Sequence, residues 1–239
     1  MVTSRGAEAR LFKNEILAGL PSDEIAGLAP GFAKVLLTAE QVIHEQGSRI
    51  ADVFFVESGI VTLTADTGDE AQVEVGLIGH EGFVGTSVVL NRDPVAVHRA
   101  FVQAQGSAYR ISSGAFRIAI ERSETLRDRC LGYVETLMIQ TAQTAACNAR
   151  HEVAERLARW LLITRDRLDS DHLPLTHEFL SIMLGVRRAG ISLAAETLQM
   201  RGLIRQSRGR IMIIAHDGLL AAACDCYRIA KDAQAKVSA

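Results

Sequence analysis

Residues 176–199 read T-H-E-F-L-S-I-M-L-G-V-R-R-A-G-I-S-L-A-A-E-T-L-Q and divide into a helix, a tight turn and a second helix. Ahead of Gly185, apolar residues recur at the i, i+3, i+4 spacing of one helical face, and Thr176 is a suitable N-cap before them. Gly185 then ends the first helix. The second helix has an apolar stripe of its own, formed by Ile191, Ala194, Ala195 and Leu198. This pattern predicts a helix-turn-helix, a motif whose second helix lies in the major groove of DNA.

The residues around the second helix strengthen this prediction. Arg187 and Arg188 open the helix, and an arginine can donate two hydrogen bonds to guanine O6 and N7. Beyond the helix, a polar turn and the strand 211–214 predict a small hairpin, the wing of a winged helix, whose tip carries Arg208 and Arg210. Two helices joined at a glycine also occur in all-α domains that bind no nucleic acid, and this alternative stays open here.

The net charge of −2 conceals a division between two parts of the chain. Residues 38–97 hold ten acidic residues against two arginines, a balance of −8, whereas residues 176–215 hold six arginines against two glutamates, a balance of +4. Neutralising phosphates requires a basic surface, so we expect the C-terminal part to face DNA. The acidic part would be repelled by DNA and is expected to serve another purpose.

Several classes of protein are disfavoured. The sequence has no apolar run long enough to cross a bilayer and no signal peptide, so we expect a cytoplasmic protein without a membrane partner. It has no G-x-S-x-G, H-E-x-x-H or P-loop pattern, which argues against an enzyme. The four cysteines form neither a C-x-x-C pair nor a regular framework, so reduced thiols are expected and no metal site is assigned. Cys224 and Cys226, one residue apart, are a weak indication of redox or metal chemistry.

The first half of the chain is expected to be mostly β-structure. Residues 8–20 predict an amphipathic helix, and Pro21 begins a second, short one. Between residues 33 and 111, short β-branched or alternating runs are separated by turn signals. The clearest of these signals are residues 45–48, 57–59 and 66–69. So many short strands at this spacing predict a β-roll, barrel or sandwich.

A long helix follows the strands. Residues 124–150 contain no proline and a single glycine, and Ser123 is a good N-cap. One set of residues recurs at alternating steps of four and three, which predicts a coiled-coil seam and hence a dimer interface. This set is Cys130, Val134, Leu137, Thr141, then Thr144 or Ala145, and Asn148. A helix packed on its own β domain would use the same stripe, and that alternative stays open.

Together these predictions describe an α+β protein with three parts. Residues 8–121 are expected to form a β-roll that serves as an effector or sensor domain. Residues 123–150 form the dimerisation helix. Residues 151–239 form a winged helix-turn-helix domain that ends in a helix over residues 219–231.

This order of elements resembles the Crp/Fnr family of bacterial transcription regulators over nearly the whole chain. The most specific parts are G-H-E-G-F-V-G-T-S-V (79–88), E-R-L-A-R-W-L-L (155–162) and E-F-L-S-I-M-L-G-V-R-R-A-G-I-S (178–192). The resemblance implies a homodimer that binds a palindromic operator in double-stranded DNA, has a cyclic-nucleotide-binding-like roll for an effector, and meets RNA polymerase. The alternative is a ligand-binding regulatory module that acts through contacts with other proteins.

In the roll, the match to the family is incomplete. Members that bind cyclic nucleotides have a Gly-Glu pair for the ribose and an Arg-Ser or Arg-Thr pair for the phosphate. Here Thr86 follows the glycine, and His98 stands at the arginine position. Arg99 would need a one-residue slip of its strand, and such a slip points it to the other face. The effector pocket that the resemblance implies consists of Gly85, Thr86, Ser87, His98, Arg99 and Thr141. The effector itself stays unassigned, with a cyclic nucleotide as one option.

Other effectors of the family match no better. Iron–sulfur members carry an N-terminal cysteine cluster, and no cysteine precedes Cys130 in this chain. Haem would need an axial ligand. The available histidines, His44, His80 and His98, are more readily explained as surface or satisfied core residues. No cofactor is therefore assigned.

The second helix keeps only some of the family's reading positions. Arg188 and Ser192 match the family's first arginine and its serine, whereas Ala189 and Leu193 replace its glutamate and last arginine. Loss of the glutamate removes an acceptor for cytosine N4, so the family's usual half-sites are not assumed. The residues expected to contact DNA are Thr176, Arg187, Arg188, Gly190, Ser192, Arg208 and Arg210.

Overall fold

The computed structural model describes residues 12–68 and 72–238. Its N-terminal part is a β-roll built from β1 (Ala33–Leu37), β2 (Val42–His44), β3 (Asp52–Asp66), β4 (Gln72–Ile78), β5 (Phe83–Val84) and β6 (Arg99–Ser112). All pairings are antiparallel, in the order β1-β6-β3-β4, with β2 beside β6 and β5 beside β3. The short helices of this part are α1 (Glu15–Ala18), α2 (Ser22–Leu28), a 3₁₀ turn (Ala29–Gly31), α3 (Ser87–Leu90) and α4 (Ser113–Arg122). The predicted α+β class and β-roll are confirmed.

The helix predicted over residues 8–20 is much shorter in the structure. Residues 8–11 lie outside the described residues, and α1 begins only after Asn14. The Asn14 side chain accepts a hydrogen bond from Leu17 N–H and donates to the carbonyls of Val56 and Gly82 in the roll. Because the sheet holds the Asn14 side chain in this way, the described part of the helix starts directly after that residue.

β3 and β6 are each one long bent strand where the sequence predicted two shorter ones. Residues 57–59, interpreted as a turn, lie inside β3. Gly59 has φ +83°, and a side chain there would collide with the Ala104 carbonyl oxygen. Gly106 on β6 likewise leaves no room for a Cβ beside the Ser58 carbonyl. The pairing register shifts here, so these glycines mark bulges at which two close backbones bend together, rather than a chain reversal.

The long helix is α5 (Glu124–Arg150), and Ser123 caps it by accepting from Leu126 N–H at 2.9 Å. The seam predicted for dimerisation faces the chain's own roll. Cys130 is fully buried in the roll core, Val134 is buried, and Thr141 Oγ1 lies 3.0 Å from the Val75 carbonyl oxygen on β4. Cys130 and Val134 are therefore covered by the chain's own roll, since periodicity locates an apolar stripe without identifying its partner. Leu137 and Thr141 are half-buried, and their place in a dimer interface stays a prediction.

A second stripe on α5 is exposed. It follows the same alternating steps of four and three, displaced around the helix from the buried one. Its members are Leu131, Glu135, Met138, Ala142, Ala145 and Ala149. Met138 is 68% exposed, the most open of the large apolar side chains on this helix. Asn148, the last residue of the predicted seam, is also exposed.

The C-terminal part is a winged helix-turn-helix domain. Its elements are α6 (Val153–Leu168), β7 (His172–Leu173), α7 (His177–Leu184), α8 (Arg188–Met200), β8 (Ile204–Ser207), β9 (Arg210–Ile213), α9 (His216–Ala222) and α10 (Cys226–Ser238). β7 adds an unpredicted strand to the wing, giving the order β7-β9-β8. The helix predicted over residues 219–231 is two helices, because Ala223 is extended and separates α9 from α10.

The two parts share a buried contact. Ile60 and Leu77 of the roll belong to the same apolar core as α6. Trp160 Nε1 donates to Glu74 Oε2 at 2.7 Å, and the buried Arg167 guanidinium pairs with Glu81 at 2.7 Å. The C-terminal domain is thereby held against the β3–β4 side of the roll. Within the described residues, no helix is both long and apolar enough to span a membrane.

Candidate DNA interface and effector cavity

The turn between α7 and α8 is built as predicted. Thr176 Oγ1 accepts from Phe179 N–H at 3.1 Å, and Gly185 adopts the left-handed conformation, with φ +62°, that ends α7. Arg187 precedes α8 and gives it no side-chain cap. The backbone amides of the first turn of α8 can therefore meet a phosphate, which helix N-termini favour.

The exposed face of α8 carries the residues expected to meet DNA. Arg187, Arg188 and Ser192 are all exposed, while the predicted stripe from Ile191 to Leu198 is buried. A Cβ added at Gly190 would meet no atom within 4 Å, so the surface above it is open. Arg188 Nη1 lies 3.7 Å from Glu178 Oε2 in an exposed pair, and such pairs contribute little stability. Arg188 is thus free to exchange Glu178 for a base edge.

The wing brings three predicted residues together. Arg208 and Arg210 are exposed at its tip, where Gly209 turns the chain with φ +70°. A Cβ at Gly209 would lie 4.0 Å from Thr176 Cγ2, so the start of α7 is next to the wing tip. Thr176, Arg208 and Arg210 therefore form one surface beside α8, as a contact with the phosphate backbone requires.

His177 links the parts of this interface, and the sequence did not indicate it. Its Nδ1 lies 3.0 Å from Ser192 Oγ, and its Nε2 lies 2.7 Å from Gln206 Oε1 on β8. Ser192 Oγ is also 3.2 Å from the Arg188 carbonyl oxygen. Because Ser192 and Gln206 are far from His177 along the chain, no local pattern could reveal the contact. Ser192 must exchange an intramolecular partner before it can donate to a base.

The turn of the helix-turn-helix also faces the roll. A Cβ at Gly185 would lie 3.1 Å from Val73 Cγ2 on β4. A cleft of about 700 Å³ lies between the β3–β4 hairpin and the turn, with Arg187 among its lining residues. One end of the DNA-facing surface is therefore next to the acidic roll in this conformation.

A cavity of about 530 Å³ lies between the roll and α5. It contains five of the six residues expected in the effector pocket: Gly85, Thr86, Ser87, His98 and Thr141. Arg99 was assigned wrongly, because it points away from the cavity. Its Nε is 3.3 Å from Glu45 Oε2, and its guanidinium lies 5.3 Å from the centre of the Phe101 ring. Alternation of side chains along β6 explains the direction of Arg99, since the next residue, Ala100, lines the cavity and Arg99 faces the opposite side.

The cavity is mostly apolar and has no permanent cation. Among the described residues that line it, none is Arg or Lys. Burial lowers the pKa of both His44 and His98, which favours their neutral forms. His44 Nε2 is already 3.1 Å from the Asp52 carbonyl, whereas the buried His98 Nδ1 has no protein partner. His98 is therefore the polar group best placed to meet a ligand.

Two domain families match the sequence. Residues 34–123 match the cyclic nucleotide-binding domain, and residues 155–222 match the Crp-like helix-turn-helix domain. A search of curated protein sequences returned no match. The matched pair of domains is that of a transcription regulator rather than an enzyme.

Several solved structures share the fold. FixK2 from Bradyrhizobium japonicum superposes with a TM-score of 0.69 at 15% identity, covering 81% of this chain and 98% of that chain. CLP, a c-di-GMP responsive global regulator from Xanthomonas campestris, gives 0.65 at 16% identity over 81% and 99%. A Crp/Fnr transcriptional regulator from Eubacterium rectale gives 0.64 at 16% identity over 85% and 94%. At these identities the likeness concerns the fold.

Proposed function

The chain belongs to the Crp/Fnr family of transcription regulators, and we propose that it works as a homodimer that binds a palindromic operator in double-stranded DNA. The observation that carries this proposal is the exposed set of arginines at the start of α8 and at the wing tip. α8 would enter the major groove, while Thr176, Arg208 and Arg210 contact phosphates. The dimer would act in the cytoplasm and contact RNA polymerase at a promoter.

Dimerisation is proposed through the exposed stripe of α5. Leu131, Met138, Ala142 and Ala145 repeat with heptad spacing on the exposed side of the helix. Small alanine side chains would let two such helices approach closely, with Leu131 and Met138 packing between them. A two-fold dimer places two copies of α8 on successive half-sites, which helix-turn-helix regulators need for affinity.

The effector is proposed to be a small, largely apolar molecule without a phosphate. A buried phosphate is best compensated by a cation, and the polar side chains that line the cavity are neutral hydroxyls and imidazoles. His98 Nδ1 would form the one directional hydrogen bond, and the apolar walls would supply most of the binding energy. Met138 and Ala142 line the cavity and belong to the proposed dimer stripe, so a ligand there would touch the dimer interface.

The test is binding-site selection on random DNA, followed by anisotropy measurements on the selected site. Arg188→Ala should weaken binding to that site by roughly 1 to 3 kcal/mol and relax the preference at one base position. Arg122→Ala removes the same charge from an exposed position on α4 and serves as the matched control. Equal affinity and equal selectivity of wild type and Arg188→Ala would refute the role of Arg188. If no salt-dependent DNA binding occurred at all, the protein-docking alternative would replace the proposal.

A further inference from the structure

A cluster of sulfur and nitrogen atoms lies outside both surfaces described above. Cys147 and His151 come from the end of α5, Cys224 comes from the connection between α9 and α10, and Cys226 is the first residue of α10. Their four potential ligand atoms all lie within 4.8 Å of one another. Cys147 Sγ is 3.5 Å from Cys224 Sγ, and Cys226 Sγ is 3.5 Å from His151 Nδ1. The three cysteines are buried.

These separations fit a single tetrahedral ion. With Zn–S bonds near 2.3 Å, two thiolates on one zinc ion lie about 3.8 Å apart, close to the observed spacing. A disulfide would require about 2.0 Å, and all four cysteines are free thiols here. Three thiolates and one imidazole make a closed coordination set without an open position, which is typical of structural rather than catalytic zinc.

Two buried cations lie next to the cluster. Arg156 and Arg159 are buried next to Cys147, and the Nε atom of each has no hydrogen-bond partner. Among the described residues, neither forms an ion pair with a carboxylate. Gln143 Nε2 also points at Cys226 Sγ, at 3.0 Å. Buried cations need nearby anions, and three thiolates around one Zn²⁺ carry a net charge of −1.

We propose that Cys147, His151, Cys224 and Cys226 bind one zinc ion, which fixes α10 to the joint between α5 and the DNA-binding domain. His151 is the residue at which α5 ends, and α6 begins two residues later. The ion therefore connects three segments: the end of the proposed dimerisation helix, the joint and the C-terminal helix. Binding releases the three thiol protons to solvent.

The experiment measures metal content in the full-length protein purified from zinc-supplemented cells. Mass spectrometry of the metal should give about one zinc per chain for wild type, and Cys224→Ser and His151→Ala should lose most of it. Cys130→Ser is the matched control, because that buried thiol lies in the roll core and should leave the zinc content unchanged. A wild-type protein without zinc would overturn the proposal. So would a Cys147–Cys224 disulfide found by peptide mapping, since it would make the cluster a redox pair.

Two further measurements protect the test against variants that fold poorly. Adding Co²⁺ to metal-free wild type should give the visible bands of tetrahedral cobalt and a thiolate-to-metal charge-transfer band. Absence of both bands would contradict the proposed ligand set. A chelator should also lower the Tm of wild type and Cys130→Ser while leaving that of Cys224→Ser unchanged, because bound metal stabilises only the folded chain that holds it. If the chelator lowered the Tm of Cys224→Ser equally, the site would lie elsewhere.

Discussion

The DNA-facing surface and the effector cavity differ most clearly in charge. The first exposes Arg187, Arg188, Arg208 and Arg210 to solvent, whereas the second is lined mostly by apolar side chains and by two histidines whose pKa is lowered by burial. Exposed guanidinium groups suit a polyanion whose binding depends on salt. A largely apolar cavity without a cation suits a neutral molecule, because a buried unpaired phosphate would be costly. The proposed function thus assigns two kinds of ligand to two parts of the chain, according to where the arginines lie.

The largest expected effect comes from Met138, which lies at the rim of the cavity and on the exposed stripe of α5. Met138→Glu should separate the dimer and weaken operator binding at least about 100-fold, since like charges facing each other across an interface cost several kcal/mol. Sedimentation and anisotropy measure the two effects. Ile118→Glu, which replaces an exposed apolar residue on α4, is the control. A Met138→Glu protein that stayed dimeric would place the interface on another surface.

The stability of the contact between the β-roll and the C-terminal domain should depend on pH, because Glu74 belongs to that contact. Burial raises the pKa of Glu74 from 4.5 to about 7, despite the hydrogen bond from Trp160. The folded state therefore favours the protonated carboxyl, so its stabilising effect is complete below pH 4.5 and is lost as the pH rises through 7. Between these values the free energy of unfolding should fall by at most about 3 kcal/mol.

Urea denaturation across this pH range checks the Glu74 prediction. Glu74→Gln should flatten the dependence, because glutamine can still accept the Trp160 hydrogen bond and does not ionise. Glu121→Gln, at an exposed position on α4, should leave the slope as it is in wild type. If the free energy of unfolding of Glu74→Gln still fell with pH as steeply as that of wild type, a group other than Glu74 would be responsible.

The smallest expected effect concerns the difference in charge between the DNA-facing surface and the effector cavity. His98→Arg puts a cation into the cavity, and a charge-assisted hydrogen bond contributes about 1.5 to 3 kcal/mol. Cyclic AMP affinity measured by calorimetry should therefore rise by roughly 10- to 150-fold. Arg99→Ala should leave it unchanged, because Arg99 pairs with Glu45 outside the cavity. If His98→Arg gained no affinity, something other than the missing cation would exclude the nucleotide.

Predictions from the sequence were most accurate where the interacting residues lie close together along the chain. Thr176, Gly185 and the stripe of α8 were all placed correctly, because capping, the left-handed turn and the core of two adjacent helices depend on neighbouring residues. The resemblance to a family placed five cavity residues, and it failed at Arg99, where strand alternation decides the direction.

Contacts between residues that lie far apart along the chain could not be predicted from the sequence, for a physical reason. On α5 two stripes share one period, so only packing against the roll shows that Cys130 faces inward and Met138 outward. The residues around Gly59 are typical of a turn, but Gly59 lies inside β3, which pairs with β6. His177 and the Cys147–Cys224 pair acquire their partners only when the domain folds, and no local spacing encodes such proximity.

The position of α10 has a consequence for truncation experiments. This helix follows the helix-turn-helix along the chain, yet it packs on α5, which precedes that motif. A variant that stops after α9 would keep the contacts of Trp160 with Glu74 and of Arg167 with Glu81. It would lose the packing on α5 together with Cys224 and Cys226. Such a truncation therefore separates the contribution of α10 from that of the contact between the two domains.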